Sequence, residues 1–80
     1  MENVMADYNR ELDATGLNCP LPILRARKVL NDMERGHVLK IIATDAGSVK
    51  DFEAFARQTN NTLLSSAEEG MKFIFFIKKS

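Results

Sequence analysis

The sequence predicts a small α+β domain, a two-layer α/β sandwich in which two helices cover one face of a four-stranded mixed sheet. Extended and helical patterns alternate along the chain in the order βαβαββ. The segments 38–44 and 71–78 have the β-branched and aromatic content of interior strands. The chain has 80 residues, of which 45% are hydrophobic, and this leaves room for one thin core.

The individual elements follow from apolar spacing and from the residues that interrupt it. Gly16 ends the first strand, and Pro22 suits the first turn of the helix that follows, where its missing N–H costs nothing. Gly36 is a plausible stop for that helix. The predicted bounds are, in chain order, strand 9–14, helix 21–34, strand 38–44, helix 48–59, strand 62–67, hairpin turn 68–70 and strand 71–78.

The strand order follows from handedness and from hydrophobicity. Two right-handed βαβ crossovers place both helices on the same face and make the first two strands parallel neighbours. The last strand is too apolar for an edge, so we expect the order 1-2-4-3. The uncovered face then carries Ile74 and Phe76, and exposed apolar surface of this kind is often a partner surface. Residues 1–7 show no period and are expected to form a flexible tail, which leaves 8–80 as the single domain.

Composition excludes several functional classes. Eleven basic and eleven acidic residues cancel, which argues against direct nucleic-acid binding and against a membrane-surface protein. No apolar run approaches the roughly 20 residues that span a bilayer. A lone thiol without an export signal is typical of the cytoplasm. The residue types present predict neither a metal site nor a cofactor.

Cys19 is the candidate reactive residue. It lies in the stretch 16–22, which contains both prolines and leads into the first helix. Free N–H groups at a helix start, with Arg25, Arg27 and Lys28 in the next turns, predict a lowered thiol pKa and a stabilised persulfide anion. The alternative for Cys19 is an inert buried thiol. For the basic residues of the helix, the alternatives are a solvated face and a docking surface for an acidic partner.

The usual companions of a catalytic thiol are missing. His37 is the only histidine, and it follows the far end of a helix about 18 Å long. No second cysteine is present to make a dithiol. Cys19 is therefore suited to carrying a group between proteins.

Polar residues after the second strand are candidates for both functional and structural roles. Asp45 belongs to the same predicted end of the sheet as Cys19, where it orients the cysteine loop, meets a partner, or simply bonds its own turn. Ser48 and Asp51 have the spacing of a capping box at the start of the second helix.

The stretch Gly16-Leu17-Asn18-Cys19-Pro20-Leu21-Pro22, followed by Lys28, resembles the Cys-Pro-x-Pro signature of the TusA (SirA-like) sulfur carriers. The resemblance covers about residues 9–79. It implies that Cys19 accepts sulfane sulfur from a persulfide donor, a cysteine desulfurase or a rhodanese-like protein, in the manner of a sulfurtransferase. It further implies transfer to an acceptor relay protein with a reactive cysteine.

In that family the relays feed tRNA 2-thiolation, molybdenum cofactor synthesis or dissimilatory sulfur oxidation. Gly16, Pro20 and Pro22 would shape the loop around the thiol. Many members have proline after the turn aspartate and an Ile-Pro pair in the second helix, where this chain has Ala46 and Phe52-Glu53. The departures affect the partner surface and leave the cysteine motif intact. The competing hypothesis is a non-catalytic binding or regulatory module that uses the open sheet face or the basic helix.

Overall fold

The computed structural model describes residues 8–80, so the tail predicted for residues 1–7 lies outside the described residues. Within this range no helix is long and apolar enough to cross a membrane. The elements are β1 (Arg10–Ala14), α1 (Leu21–Asn31), β2 (Val38–Ala43), α2 (Ser48–Thr59), β3 (Thr62–Glu69) and β4 (Lys72–Lys78).

The four strands form one sheet in the order β1-β2-β4-β3, which confirms the predicted topology. β1 runs parallel to β2, and β4 is antiparallel to both of its neighbours. The apolar strand β4 thus occupies an interior position, and the polar strand β3 takes the edge, as their compositions predict.

The core lies between the helices and one face of the sheet. Alternate residues of β2 and β4 point to this face, so Leu39, Ile41, Phe75 and Ile77 are fully buried. Phe52 of α2 packs on Phe75 with 4.8 Å between the ring centroids. Such contacts close a thin core that contains no buried ion pair within the described residues.

α1 ends three residues earlier than predicted, at Asn31 instead of 34. The last turn tightens, because Asp32 and Met33 donate to carbonyls only three residues back. The next segment then pairs with the C-terminal end of the chain: Lys79 Nζ donates to the Met33 carbonyl at 2.6 Å, and Gly36 N donates to the Lys79 carbonyl at 2.8 Å. These distant partners replace the helical hydrogen bonds that the periodicity alone predicted.

β3 is longer than predicted, and the hairpin turn is shorter. Glu68 and Glu69 pair with Phe73 and Lys72, so they belong to the strand rather than to the turn. Gly70 has φ +63°, which glycine adopts without strain at the first position of a two-residue hairpin loop.

Within residues 8–80, no helix covers the other face of the sheet, as expected. Ile74 and Phe76 are half-buried there, and Tyr8 packs on Phe76 with ring centroids 6.0 Å apart. Lys40 Nζ lies 5.3 Å from the Tyr8 ring centroid and 5.9 Å from that of Phe76. The aromatic pair and the lysine partly shield the apolar centre of this open face.

Candidate functional site

The loop between β1 and α1 carries Cys19 and is tied to the end of β2. Gly16 turns the chain with φ +81°, a conformation that favours glycine. Its N–H donates to Thr44 Oγ1 at 2.8 Å, across the gap between the two parallel strands. Leu17 N donates to the Ala14 carbonyl at 3.2 Å, so the loop starts as a tight turn.

The far side of the loop is fixed by the start of α1. Leu21 N donates to the Asn18 carbonyl at 2.8 Å, and Pro22 occupies the first turn of α1, where it is buried. The Cys19–Pro20 peptide bond is cis. Cys19 itself is exposed, so its thiol is not buried in the core.

α2 begins beside this loop, and its first turn differs from the predicted capping box. Gly47 is the N-cap residue, and no side chain in the described part of the chain caps the helix. Ser48 is 1% exposed, and its hydroxyl has no hydrogen-bond partner among the described residues. The capping-box prediction is therefore wrong, because Ser48 already lies inside the helix, on the face that packs into the core.

Asp45 makes the turn before α2. Its Oδ2 accepts a hydrogen bond from Gly47 N at 3.1 Å, and its carbonyl accepts one from Ser48 N at 3.0 Å. This is the local turn role, one of the three options that the sequence left open for Asp45. A methyl group added at Gly47 would lie 3.1 Å from Asp45 Oδ2 and 3.9 Å from Asp51 Oδ2, so both carboxylates flank this turn.

Cys19 and Asp51 line one groove between the two helices, with a volume of about 160 Å³. Ile23 and Arg27 contribute from α1, and Phe55 contributes from α2. The Arg27 guanidinium carbon lies 5.6 Å from the centroid of the Phe55 ring, so the cation packs across the groove. The groove places one thiol, one carboxylate and one guanidinium within a single small surface depression.

The electrostatics at Cys19 are opposite to the sequence-based expectation. The pKa of the thiol is raised, first by the polar interaction of the thiol with the Asp51 carboxylate, then by desolvation and by the negative charges of Asp51 and Asp45. The prediction of a lowered pKa is wrong, because two carboxylates that are distant in sequence face the thiol.

The three basic residues of α1 do not act as one cluster. Only Arg27 lines the groove of Cys19. Arg25 and Lys28 instead line a separate depression of about 530 Å³, which α1 forms with Leu12 of the edge strand β1. On α1 this outer surface also includes Leu21 and Leu24. These two leucines are 45% and 53% exposed, so this outer surface combines apolar and cationic groups.

His37 follows the end of α1 opposite to the one that Cys19 precedes, where its backbone N–H donates to the Glu34 carbonyl. Within residues 8–80 no group of three or more His, Cys, Asp or Glu side chains is placed to hold a metal ion.

Sequence reasoning missed Asp51 as a neighbour of the thiol. The signal was present in the topology: β1 and β2 are parallel, so α1 and α2 both begin at the same sheet edge. A first-turn residue of α2 therefore lies near a residue that precedes α1.

Known proteins match this chain along most of its length. Residues 10–79 match the family model described as "Sulfurtransferase TusA". The chain is 70% identical over 76 residues to the "Sulfur carrier protein TusA" of Allochromatium vinosum, covering 95% of this chain and all of that one. It is 52% identical over 67 residues to a "Putative sulfur carrier protein" of Neisseria meningitidis, covering 84% of this chain and 90% of the relative.

The fold comparison is independent of close sequence similarity. The crystal structure of a SirA-like protein from Desulfitobacterium hafniense matches with a TM-score of 0.78 at 22% identity, covering 88% of this chain and 96% of that one. This likeness supports the two-layer fold alone. The family model spans nearly the whole chain and close relatives match it over most of their own length, so the chain belongs to the TusA family.

Proposed function

We propose that this protein is a sulfur carrier that holds sulfane sulfur as a persulfide on Cys19. The observation that supports it best is an exposed thiol on a loop that hydrogen bonds hold at both ends, in a chain that contains no second cysteine. The names of the relatives point the same way. A thiol with no neighbouring histidine lacks the base of a hydrolase, whereas a carrier needs only access to two partner proteins.

The chemistry is an exchange of one sulfur atom. The Cys19 thiolate attacks the outer sulfur of a donor persulfide, R–S–SH, and a new S–S bond forms at Cys19. The old S–S bond breaks, and its electron pair leaves with the donor sulfur as R–S⁻. Delivery repeats the exchange, as a thiolate of the acceptor attacks the outer sulfur and Cys19 leaves as the thiolate.

Arg27 is the group best placed to bind the charge of the carried sulfur. It lines the same groove as Cys19, whereas Arg25 and Lys28 do not. A persulfide is more acidic than a thiol and is anionic near neutral pH, so a nearby guanidinium stabilises it.

The partners are a persulfide donor, such as a cysteine desulfurase or a rhodanese-like protein, and an acceptor with a reactive cysteine. The outer surface of α1 is the proposed docking site for an acidic patch on the donor. Leu21 and Leu24 supply exposed apolar contact two and five residues after the thiol, and Arg25 and Lys28 supply positive charge.

Intact-protein mass spectrometry tests the proposal. After incubation with a cysteine desulfurase and cysteine, we expect the mass to rise by one sulfur atom, and the rise to be absent in Cys19→Ser. A chain that gains no sulfur from a desulfurase, a rhodanese or a small-molecule persulfide is not a carrier.

The pathway follows from the acceptor. Trapping Cys19 as a mixed disulfide in cell extract and identifying the captured protein distinguishes tRNA 2-thiolation, molybdenum cofactor synthesis and dissimilatory sulfur oxidation. If Cys19→Ser retains full function in cells, the alternative of a non-catalytic binding module, using the open face at Ile74 and Phe76 or the basic helix, replaces this proposal.

A further inference from the structure

The position of Asp51 is dictated by the packing of the two helices. One side of the groove is formed by residues at four-residue spacing, Cys19, Ile23 and Arg27. The other side is formed by Asp51 and Phe55 of α2, which have the same spacing. Asp51 is in the first turn of α2, where a carboxylate also suits the helix dipole. Because both helices start at one sheet edge, this carboxylate lies opposite the cysteine loop.

The backbone fixes this first turn of α2. Asp51 N donates to the Gly47 carbonyl at 3.1 Å, and Gly47 N is held by the Asp45 side chain at 3.1 Å. Asp45 therefore already has a hydrogen-bond donor in its own turn. Asp51 has no such donor in its own turn, and it lines the same groove as Cys19.

We propose that Asp51 is a positioning residue that holds the Cys19 sulfur in its protonated, less reactive form while the protein is free in solution. The charged groups around the sulfur are Asp51 on α2, Asp45 in the turn before α2, and Arg27 on α1. Two negative charges against one exposed cation disfavour the thiolate. The inference deepens the proposed function, since a carrier of reactive sulfur benefits from a thiol that reacts slowly with anything but its partners.

For sulfur transfer, the consequence is that Asp51 keeps the thiol protonated and a docked donor must cancel this effect. Only the thiolate attacks a persulfide, so the S–H proton must leave Cys19 for solvent before the exchange. A cationic side chain of a docked donor would neutralise the carboxylate and permit that loss. A small persulfide provides no such cation and reacts only with the thiolate that is already present.

The test is the pH profile of Cys19 alkylation by iodoacetamide in the full-length protein. In Asp51→Asn we expect the midpoint to move to lower pH and the rate at neutral pH to rise severalfold, because the carboxylate is replaced by a neutral amide of the same shape. Asp51→Glu keeps the negative charge, so we expect its alkylation pH profile to be close to that of the wild type. The matched control, Glu53→Gln, removes one exposed charge from the same helix two residues away and leaves the midpoint unchanged.

A second readout is the rate at which Cys19 takes sulfur from glutathione persulfide, followed by mass spectrometry. It rises in Asp51→Asn in parallel with alkylation. Circular dichroism melting establishes that each variant is folded, and Asp51→Glu provides the comparison if the amide variant is unstable.

The outcomes separate this inference from the proposed function. An alkylation midpoint that stays in place in Asp51→Asn, or that moves equally in Glu53→Gln, overturns the role of Asp51, even if sulfur is transferred normally. A midpoint that moves as expected while no variant and no wild-type protein takes up sulfur leaves Asp51 as the controlling residue and overturns the carrier function.

Discussion

The N–H of Gly16 donates a hydrogen bond to Thr44 Oγ1 at 2.8 Å, and this bond joins the ends of two parallel strands at the point where the chain leaves for Cys19. Gly16 begins the cysteine loop, and Thr44 begins the turn that leads to Asp45 and α2. One side chain therefore holds together the two connections that carry the thiol and the carboxylates beside it.

Replacing Thr44 tests this link. Thr44→Val removes the acceptor oxygen at nearly constant volume, and we expect the free energy of unfolding to fall by about 0.5–1 kcal/mol, the lower part of the range for one hydrogen bond, because the site is exposed. Thr44→Ser keeps the oxygen and serves as the matched control. Urea unfolding measures both, and a loss in Thr44→Ser without a loss in Thr44→Val would show that the methyl group, rather than the hydrogen bond, matters.

Phenylalanines on opposite faces of β4 should differ in their importance for stability. Phe75 is fully buried against Phe52, so Phe75→Ala is expected to cost about 3–5 kcal/mol. Phe76 is half-buried on the open face against Tyr8, and Phe76→Ala is expected to cost about 1 kcal/mol. Guanidinium unfolding at low temperature compares them, and similar losses would mean that the open face is packed more fully than the structure shows.

The first strand contains a carboxylate whose titration affects stability. Thr15 donates to Asp13 Oδ1 from its hydroxyl at 2.7 Å and from its N–H at 3.0 Å, and these hydrogen bonds lower the pKa of Asp13. A lowered pKa in the folded state means that the stabilisation is present above the unfolded-state pKa and is lost as the pH falls through the folded-state pKa.

Thr15→Val removes the stronger donor and keeps the backbone one. We expect the pKa of Asp13 in the variant to rise toward its ordinary value, as followed by carboxyl NMR. The urea midpoint of the variant should be lower than that of the wild type at neutral pH. This difference between the two midpoints, the gap, should narrow in strong acid. A gap that is independent of pH would instead indicate a loss of strand packing.

The topology could be predicted from the sequence because it depends on coarse properties of whole segments. The apolar composition of 71–78 places β4 in the interior, and the polar composition of 62–67 assigns β3 to an edge. The exposed cysteine loop is likewise encoded locally by Gly16 and Pro22.

The finer features depend on residues that are far apart in the sequence. α1 ends early because Lys79 takes over hydrogen bonds at Met33 and Gly36. The thiol pKa moves upward because Asp51 reaches Cys19 across the helix pair, while the nearby cations Arg25 and Lys28 point elsewhere. Spacing along one helix gives no information about which of its charges meets a residue on another element.

The separation of the α1 cations gives the last prediction. Arg25 and Lys28 belong to the outer surface with Leu21 and Leu24, so reversing both charges in Arg25→Glu/Lys28→Glu should weaken docking of the donor without changing the chemistry at Cys19. We expect a higher KM for the protein donor, an unchanged rate with glutathione persulfide, and a wild-type rate that falls as salt increases, because exposed charges are screened. Arg57→Glu, at the exposed last turn of α2, is the control for charge reversal alone. If the control raises KM as much as the double variant does, donor binding depends on the overall charge of the protein and not on this surface. A slower reaction of the double variant with glutathione persulfide would mean that the outer cations do act on the thiol.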